Sequence, residues 1–239
     1  KETFDTISHE MSTLTTKRYS TSFSLGIKML NPEIQKPIYA IYGFVRFADE
    51  IVDSFHSFDK SKLLADFRVQ TYQAINDGIS LNPILNSFQW AVNCYNIPLS
   101  LIETFLESMK MDLNKQAYDE EQYKKYILGS AEVVGLMCLK VFVNGDEQEY
   151  LRLKPSAMKL GSAFQKINFL RDLNADYKHL GRVYFPGIDM EEFNATVKQE
   201  IERDIEIDFH EGYLGIVQLP KNARFGVYLA YIYYYKLFK

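Results

Sequence analysis

Two pairs of aspartates, each separated by four residues, are the feature of this chain that most directly indicates chemistry. The first pair is Asp49 and Asp53, and the second is Asp172 and Asp176. Residues four apart lie on one face of a helix, so each pair directs two carboxylates the same way. Like charges at this spacing destabilise a helix by roughly a few tenths of a kcal/mol, and Asp is a poor residue for a helix interior. We therefore expect these pairs to hold cations.

The residues that precede each pair extend the same predicted helical face. Tyr39, Tyr42 and Arg46 lead to the first pair at spacings of three and four, with an apolar stripe beside them. Gln165 and Asn168 lead to the second pair in the same way. Two solvated helix faces that carry Asp by chance are the alternative interpretation. Two pairs, each near an arginine, favour the cation site.

Magnesium-assisted ionisation of a diphosphate is the chemistry that this arrangement favours. Mg²⁺ takes oxygen ligands and is usually bound by one or two carboxylates together with substrate phosphates. An adjacent arginine would neutralise the charge of the departing diphosphate. The cysteines and histidines have no zinc-ligand spacing, and the calcium-loop pattern with its central glycine is absent from the sequence. These residues are Cys94, Cys138, His9, His56, His179 and His210.

Five sequence segments follow one another in a recognisable order: residues 19–23 (YSTSF), 42–53 (YGFVRFADEIVD), 134–135 (VG), 161–172 (GSAFQKINFLRD) and 181–186 (GRVYFP). In these segments the chain resembles the squalene/phytoene synthase family, and within it the bacterial phytoene synthases most. The segments occur in the family's order and cover nearly the whole chain. Each segment alone is a weak signal, whereas the ordered set is strong.

The resemblance implies a role for individual residues. It makes the four aspartates, Asp49, Asp53, Asp172 and Asp176, ligands of Mg²⁺, or of Mn²⁺ in its place. The residues implied to contact diphosphate are Arg46, Arg171, Ser20, Thr21 and Ser22. Those implied to line the reaction centre are Tyr42, Gln165 and Asn168. Further substrate contacts are implied for Tyr126, for Arg182 in the loop after the second motif, and for Tyr233 on a late helix.

Two departures from the family pattern affect these implications. The family often has Tyr-Cys-Tyr where this chain has residues 126–132, and only Tyr126 matches. The role of the second tyrosine is therefore in doubt. The chain also ends at Lys239, before the last helix of the family, so we expect the C-terminal end of the domain to be missing.

The implied activity is that of a phytoene synthase in carotenoid biosynthesis. Two molecules of geranylgeranyl diphosphate would condense head-to-head to prephytoene diphosphate and then to phytoene, with release of diphosphate. No NADPH is expected, since the last step would be loss of a proton. A dehydrosqualene or squalene synthase acting on farnesyl diphosphate is the main alternative. A terpene cyclase fits the paired motifs poorly, and a non-catalytic assembly factor at a membrane would be expected to have lost the aspartates.

The chain is predicted to be all-α, a single domain over residues 1–239 of the isoprenoid-synthase type, with a helical bundle around a central cavity. Hydrophobic periodicity, prolines near helix starts and glycine breaks predict nine helices. Their approximate ranges are 9–30, 33–55, 61–78, 83–95, 99–116, 120–143, 146–178, 190–212 and 221–238.

Composition is typical of a globular enzyme. The chain has 239 residues, is 47% hydrophobic and has a net charge of −4, which argues against a nucleic-acid partner. Two cysteines are typical of a reducing compartment, and no apolar run of about eighteen residues is visible. We expect a cytoplasmic protein that binds isoprenoid diphosphates, with peripheral contact at the inner face of the membrane for product release.

Small residues raise two further hypotheses. Gly129, Gly135 and Gly161 lie within predicted helices, where close helix packing or space for a ligand could explain them. Near the first helix, Gly26 and the residues flanking Tyr42 (Ala40 and Gly43) predict an open cavity floor bounded by Ile27 and Tyr39. Such a floor would favour geranylgeranyl over farnesyl diphosphate.

Overall fold

The computed structural model describes residues 1–113, 118–180, 184–187 and 194–239, without the side chains of residues 174–180. Within these ranges the chain is helical and has no strand, which confirms the predicted all-α class. The helices are α1 (Glu2–Tyr19), α2 (Thr21–Lys28), α3 (Pro32–Asp53), α4 (Lys60–Asp77), α5 (Pro83–Tyr95), α6 (Leu99–Asp112), α7 (Glu120–Ile127), α8 (Val133–Phe142), α9 (Glu147–Leu180), α10 (Ala195–Ile216) and α11 (Lys221–Phe238).

The predicted first helix over residues 9–30 is wrong in one respect, because it is two helices. Ser20 adopts an extended conformation between α1 and α2, with φ −142° and ψ 103°. Its side chain accepts a hydrogen bond from the backbone N–H of Phe23 at 3.3 Å and so caps the start of α2. In a continuous helix this N–H would donate to a backbone carbonyl, and here the Ser20 hydroxyl takes that place. Residues 20–22 therefore lie at the start of a helix.

Two other predicted helices differ from the structure. The predicted helix at 120–143 contains a π-helical segment, Leu128–Glu132, between α7 and α8. The predicted helix at 190–212 begins at Ala195, where Asn194 caps it, and extends to Ile216. Asp119 and Gln122 form a reciprocal capping box at the start of α7.

No helix of the described residues is long and apolar enough to cross a membrane.

The core lies where α3 packs against α1, α5 and α8, and α9 packs against α8 and α10. Phe44 of α3 is fully buried and stacks on Phe88 of α5, with ring centroids 3.9 Å apart. On the other side of the bundle, α11 packs against α2. Of the polar stripe of α3, Tyr42, Arg46 and Asp49 are partly buried, whereas Asp53 at the end of the helix is exposed.

Two of the three glycines singled out above are explained by close helix packing. A Cβ at Gly129 would lie 2.5 Å from the Cβ of Ser108 and 2.7 Å from the carbonyl oxygen of Thr104. At Gly161 it would lie 2.9 Å from the carbonyl oxygen of Ala131. The π-helical segment is therefore held between α6 and α9 at distances that only glycine permits.

Gly129→Ala is expected to lower the free energy of unfolding by about 1–3 kcal/mol, because the added methyl group overpacks the contact with α6. For a chain of this size each kcal/mol corresponds to a fall in Tm of about 2–4 °C. Gly135→Ala is the control, since its Cβ would lie 3.2 Å from the carbonyl oxygen of Ala157 and needs only a small shift. Equal Tm values for both variants in thermal unfolding would contradict this account of Gly129.

Candidate active site

A cavity of about 570 Å³ lies between the helices. Many of its polar lining residues are grouped as the polar end: Ser20, Thr21, Ser22, Arg46, Asp49, Tyr126, Gln165, Asn168, Arg171 and Tyr233. The lining of the other end, which we call the apolar end, includes Leu30, Ile38, Phe142, Leu153, Ile216, Leu219 and Gly226. The two ends of the cavity therefore differ in polarity in the way that a diphosphate group differs from a hydrocarbon chain.

Arg46 and Asp49 define the α3 side of the polar end. The guanidinium of Arg46 lies 3.7 Å from the carboxylate of Asp49 and donates to Glu50 at 2.9 Å. It also lies 4.5 Å from the centroid of the Tyr19 ring. The buried Nε of Arg46 has no hydrogen-bond partner among the described residues.

Asp49 is the most perturbed carboxyl of the site. Its side chain is 29% exposed and lines the cavity. Desolvation raises its pKa to about 7; Arg46 opposes this shift, whereas the acidic Asp53, Asp112 and Glu50 add to it. The site therefore holds more acidic than basic groups at this point, which is the condition that a bound divalent cation would relieve.

Asp112, on α6, is a site residue that the sequence analysis missed. Its carboxylate accepts hydrogen bonds from Tyr126 at 2.6 Å and from Tyr118 at 3.0 Å, and all three residues are buried. Tyr126 lines the cavity as predicted, and burial followed by the nearby Asp112 charge raises its pKa well above the usual value. Its hydroxyl proton is thus directed away from the cavity and toward Asp112.

Ser20, Thr21 and Ser22 line the polar end, where α2 begins. The first backbone N–H groups of a helix are suited to binding a phosphate group, and hydroxyl side chains add further donors. Tyr234 lies near the side chains of Ser22 and Asn168; burial raises the pKa of its hydroxyl, and these two polar neighbours and Arg171 oppose that shift. The helices α2, α9 and α11 meet at this point.

A chain of side-chain contacts connects α9 with the π-helical segment. Asn168 donates to Gln165 at 3.3 Å, and Gln165 donates to the hydroxyl of Ser130 at 3.3 Å. Ser130 in turn donates to the backbone carbonyl of Tyr126 at 2.8 Å. The predicted residues Tyr126, Gln165 and Asn168 are therefore brought together through Ser130, which was not predicted.

The second aspartate motif is described only in part. Arg171 lines the cavity and donates through Nε to Asp172 at 2.7 Å. Asp172 is partly exposed, while the side chain of Asp176 and all of Arg182 lie outside the described residues. Among the side chains that the structure does describe, no three His, Cys, Asp or Glu residues come together as a metal-binding group.

Phe23, Tyr42, Phe164 and Tyr234 form an aromatic wall of the cavity. The ring of Tyr42 lies 4.8 Å from that of Phe23, which also contacts Phe164. Phe164 stacks on Tyr234 at 4.2 Å. Burial raises the pKa of Tyr42 well above its usual value, so this hydroxyl stays protonated. The aromatic faces could stabilise a carbocation in the cavity.

Tyr234, and not Tyr233 alone, is the late tyrosine of the site. Tyr233 lines the cavity as predicted, but its side chain is 48% exposed, whereas Tyr234 is 3% exposed. Tyr234 also lies near Ser22 and Asn168, as described above. The sequence shows a run of adjacent tyrosines, and only packing distinguishes them.

The predicted cavity floor needs correction. Ile27 lines the cavity, but Tyr39 does not belong to the lining and lies beneath Lys17, 5.9 Å from its ammonium. A Cβ at Gly43 would lie 2.9 Å from Ser12 of α1, so this glycine serves helix packing. Gly26 faces α11, where a Cβ would lie 3.3 Å from Ala230. The apolar end is therefore bounded by α10 and α11 as well as by α2.

The chain is similar to known proteins in sequence. It is 27% identical to the 4,4'-diapophytoene synthase of Staphylococcus haemolyticus over 190 residues, which cover 79% of this chain and 65% of that protein. It is 26% identical to the chloroplastic phytoene synthase 1 of Solanum lycopersicum over 238 residues, or 92% of this chain and 57% of the relative. The chain thus spans about three fifths of the length of these curated relatives.

Solved structures show the same fold. A dehydrosqualene synthase crystallised with a ligand matches with a TM-score of 0.84 at 20% identity, covering 96% of this chain and 84% of the other. Squalene synthase HpnC from Alicyclobacillus acidocaldarius matches with a TM-score of 0.82 at 22% identity, covering 97% and 91%. The family model for squalene/phytoene synthase matches residues 16–212, which include α3 and α9 with their aspartates. The chain belongs to the squalene/phytoene synthase family.

Proposed function

We propose that this protein is a phytoene synthase, which condenses two molecules of geranylgeranyl diphosphate head-to-head through prephytoene diphosphate and releases diphosphate. The observation that carries this proposal is the cavity with two arginines and Asp49 at its polar end and hydrocarbon side chains at its apolar end. Such a cavity would hold diphosphate groups and prenyl chains in one orientation.

The residues of the polar end would act on the diphosphate groups. Arg46 and Arg171 would bind phosphate oxygens, and the start of α2 would supply further donors. Neighbouring carboxylates orient both guanidinium groups, since Arg46 donates to Glu50 and Arg171 donates to Asp172. Hydrogen-bond donors that are already oriented stabilise the charge that develops on the leaving group better than water does, because water must first reorient.

The aspartates would hold Mg²⁺, as Asp49 and Asp53 on α3 and Asp172 and Asp176 on α9. The excess of acidic groups around Asp49 supports this assignment on α3, and Mg²⁺ needs only one or two carboxylates when phosphate completes its ligands. Bound Mg²⁺ would neutralise the diphosphate and make it a better leaving group. Mn²⁺ would be an acceptable substitute because it prefers the same oxygen ligands.

The aromatic wall would shield the carbocations of the reaction, which would end with loss of a proton. Phe23, Tyr42 and Phe164 would shield a carbocation from water, and their faces would contribute about 0.5–2 kcal/mol of attraction per contact. A second ionisation followed by proton loss would then yield phytoene without NADPH. The proton would pass to the departing diphosphate, either directly or through a tyrosine hydroxyl that gives up its own proton to the diphosphate.

Condensation of farnesyl diphosphate to a thirty-carbon product is the second candidate. The similarity to 4,4'-diapophytoene synthase of S. haemolyticus favours it, because that relative is as similar to this chain as the plant phytoene synthases. Both candidates share the polar end and differ in the length of chain that the apolar end accepts. Incubation with labelled geranylgeranyl and farnesyl diphosphates, with and without NADPH, followed by product chromatography, distinguishes them.

Removal of divalent metal is expected to abolish diphosphate release. EDTA should reduce the rate to background because the aspartates would be left without the cation that neutralises the diphosphate. Addition of Mg²⁺ in excess over EDTA should restore the rate, and circular dichroism should remain unchanged throughout. Undiminished turnover in EDTA would show that the aspartates do not serve a metal.

Asp49→Asn is expected to lower the rate of diphosphate release by about a hundredfold or more, as loss of a group that stabilises transition-state charge does. The Tm should be unchanged or higher, because a neutral amide replaces a desolvated carboxylate. Asp66→Asn on the exposed face of α4 is the control and should alter neither quantity. A marked fall in Tm with full activity per folded molecule would instead make Asp49 a structural residue.

Ile27→Phe is expected to shift preference toward farnesyl diphosphate. Ile27 is buried and lines the cavity, so a larger ring shortens the space available to a prenyl chain at an overpacking penalty of about 1–3 kcal/mol. Leu25→Phe on the same helix is the control, since Leu25 is exposed. The ratio of kcat/KM for the two substrates measures the effect, and an unchanged ratio in Ile27→Phe would refute the role of Ile27 in limiting chain length.

A further inference from the structure

A cluster of charged side chains lies outside the main cavity, where the π-helical segment and α10 both pack against α9. We call it the charged cluster; its six members are Glu132 of the π-helical segment, Lys159, Ser162 and Lys166 of α9, and Asp204 and Asp208 of α10. All six side chains are described, and none of them lines the main cavity. The chemistry proposed for the cavity makes no direct use of them.

The charged cluster and the cavity take different faces of α9. Lys159, Ser162 and Lys166 follow one another at spacings of three and four, so they share one face of the helix. Gln165 and Asn168 line the cavity from another face. A movement of α9 along or about its axis would therefore disturb the cluster and the cavity lining together.

Asp208 and Lys166 form the buried part of the cluster. Asp208 is fully buried and accepts hydrogen bonds from Lys159 at 2.7 Å and from Lys166 at 2.6 Å. Lys166 is 8% exposed and also donates to Asp204 at 2.5 Å. Buried ion pairs contribute little net stability compared with apolar side chains of similar size, but separating the partners is costly. The pairs therefore permit few relative positions of α9 and α10.

Glu132 connects the π-helical segment to this cluster. Its carboxylate accepts a hydrogen bond from the hydroxyl of Ser162 at 2.5 Å, and Ser162 is 3% exposed. Burial raises the pKa of Glu132, and the hydrogen bond from Ser162 opposes this shift. The charge of Asp208 adds to the shift, and those of Lys159 and Lys166 oppose it. Glu132 thus lies within electrostatic reach of the buried ion pairs.

The π-helical segment also carries polar contacts of the cavity. Ser130, two residues before Glu132, accepts from Gln165 at 3.3 Å and donates to the backbone carbonyl of Tyr126 at 2.8 Å. The contact with Gln165 is long for a hydrogen bond, whereas the contact between Ser162 and Glu132 is short and has a carboxylate acceptor. Of these two contacts between the π-helical segment and α9, the one made by Glu132 is therefore the stronger.

We propose that Glu132 is a positioning residue for the reaction: through Ser162 it holds the π-helical segment against α9, so that Ser130 and Tyr126 keep their places in the cavity lining. The buried ion pairs fix α9 against α10 and supply the charges that surround Glu132. The effect on turnover rests on the proposed function, whereas the effect on the π-helical segment is measurable without substrate.

Glu132→Leu is expected to lower kcat for diphosphate release about tenfold or more, because a misplacement of about 1 Å can reduce a rate roughly a hundredfold. KM should change by less than about threefold, since the diphosphate would be bound by Arg46, Arg171 and the start of α2. Glu132→Gln keeps an oxygen that can accept from Ser162, and its kcat should stay within about twofold of that of the unaltered chain.

Glu202→Leu is the matched control. Glu202 is also a half-buried glutamate, and it pairs with Lys198 within α10 at 3.1 Å. Its replacement should alter kcat and KM by no more than about twofold, because it touches neither the π-helical segment nor the charged cluster. All variants are compared at equal helical content by circular dichroism.

Ser162→Ala tests whether Glu132 acts through Ser162, and it is the smaller change should Glu132→Leu lose helical content. Alone it should lower kcat by about the same factor as Glu132→Leu. The two changes combined should cause no further fall, because substitutions that break one shared contact are not additive. Multiplication of the two effects in the double variant would contradict the proposal.

Amide hydrogen exchange in residues 126–132 gives the measurement without substrate. Exchange there should be about tenfold or more faster in Glu132→Leu and in Ser162→Ala, and within about twofold of the unaltered rate in Glu132→Gln and Glu202→Leu. If the unaltered chain turned over neither farnesyl nor geranylgeranyl diphosphate, this exchange pattern would still support the positioning and would count against the proposed function alone.

Three further results would overturn the proposal. The first is unchanged exchange in residues 126–132 of Glu132→Leu. The second is a loss of kcat or a gain in exchange in Glu202→Leu as large as that in Glu132→Leu. The third is equal impairment of Glu132→Gln and Glu132→Leu, since the hydrogen bond with Ser162 would then not be the cause.

Discussion

Charged groups around a cavity that is otherwise apolar must be kept at one end and supplied with partners, because desolvated charge is stable only when it is paired or neutralised. At the polar end, Arg46 is placed between Asp49 and Glu50, and Arg171 is paired with Asp172. The acidic groups around Asp49 nevertheless outnumber the basic ones, and desolvation raises the pKa of this carboxyl. This excess of acidic groups is unfavourable on its own. It favours binding of a cation, and the cation in turn favours binding of a diphosphate.

Contacts between helices bring the side chains of the polar end together. The break at Ser20 presents the start of α2 to the cavity, and Tyr234 lies near both that start and Asn168. The close contacts of Gly129 and Gly161 hold the π-helical segment between α6 and α9, from which Ser130 reaches Gln165. The positions of polar side chains on α2, α9, α11 and the π-helical segment thus depend on packing contacts between residues that take no part in the chemistry.

The sequence predicted the all-α class and most helices, because helix periodicity and caps are local. Tyr42, Arg46, Asp49, Gln165 and Asn168 line one cavity, because spacing along a helix decides which residues share a face. Tyr39 and Asp53 have the same spacing on α3 and are not part of the lining, so spacing alone does not decide where the face of a helix meets a cavity. Tyr233 was chosen where Tyr234 makes the buried contacts. Successive side chains on a helix point about 100° apart, so Tyr233 and Tyr234 face different ways. A run of tyrosines carries no local signal that shows which of them faces the site.

Contacts between distant segments could not be predicted in this way. Asp112 of α6 accepts a hydrogen bond from Tyr126 of the next helix, α7, and its sequence neighbourhood resembles any amphipathic helix end. Asp208 of α10 is fully buried between Lys159 at 2.7 Å and Lys166 at 2.6 Å, a network that fixes α10 against α9. In the sequence these residues read as ordinary surface charges. Long-range pairing of this kind is decided by the packing of whole helices.

A crystal structure with Mg²⁺ and a thiolodiphosphate analogue of geranylgeranyl diphosphate, which resists ionisation, tests the central claim most directly. The account predicts diphosphate density at Arg46, Arg171 and the start of α2, and prenyl chains that extend toward Leu219 and Gly226. Farnesyl thiolodiphosphate should occupy the same polar end and leave part of the apolar end unfilled. Diphosphate bound away from both arginines, or prenyl chains outside the cavity, would contradict the account.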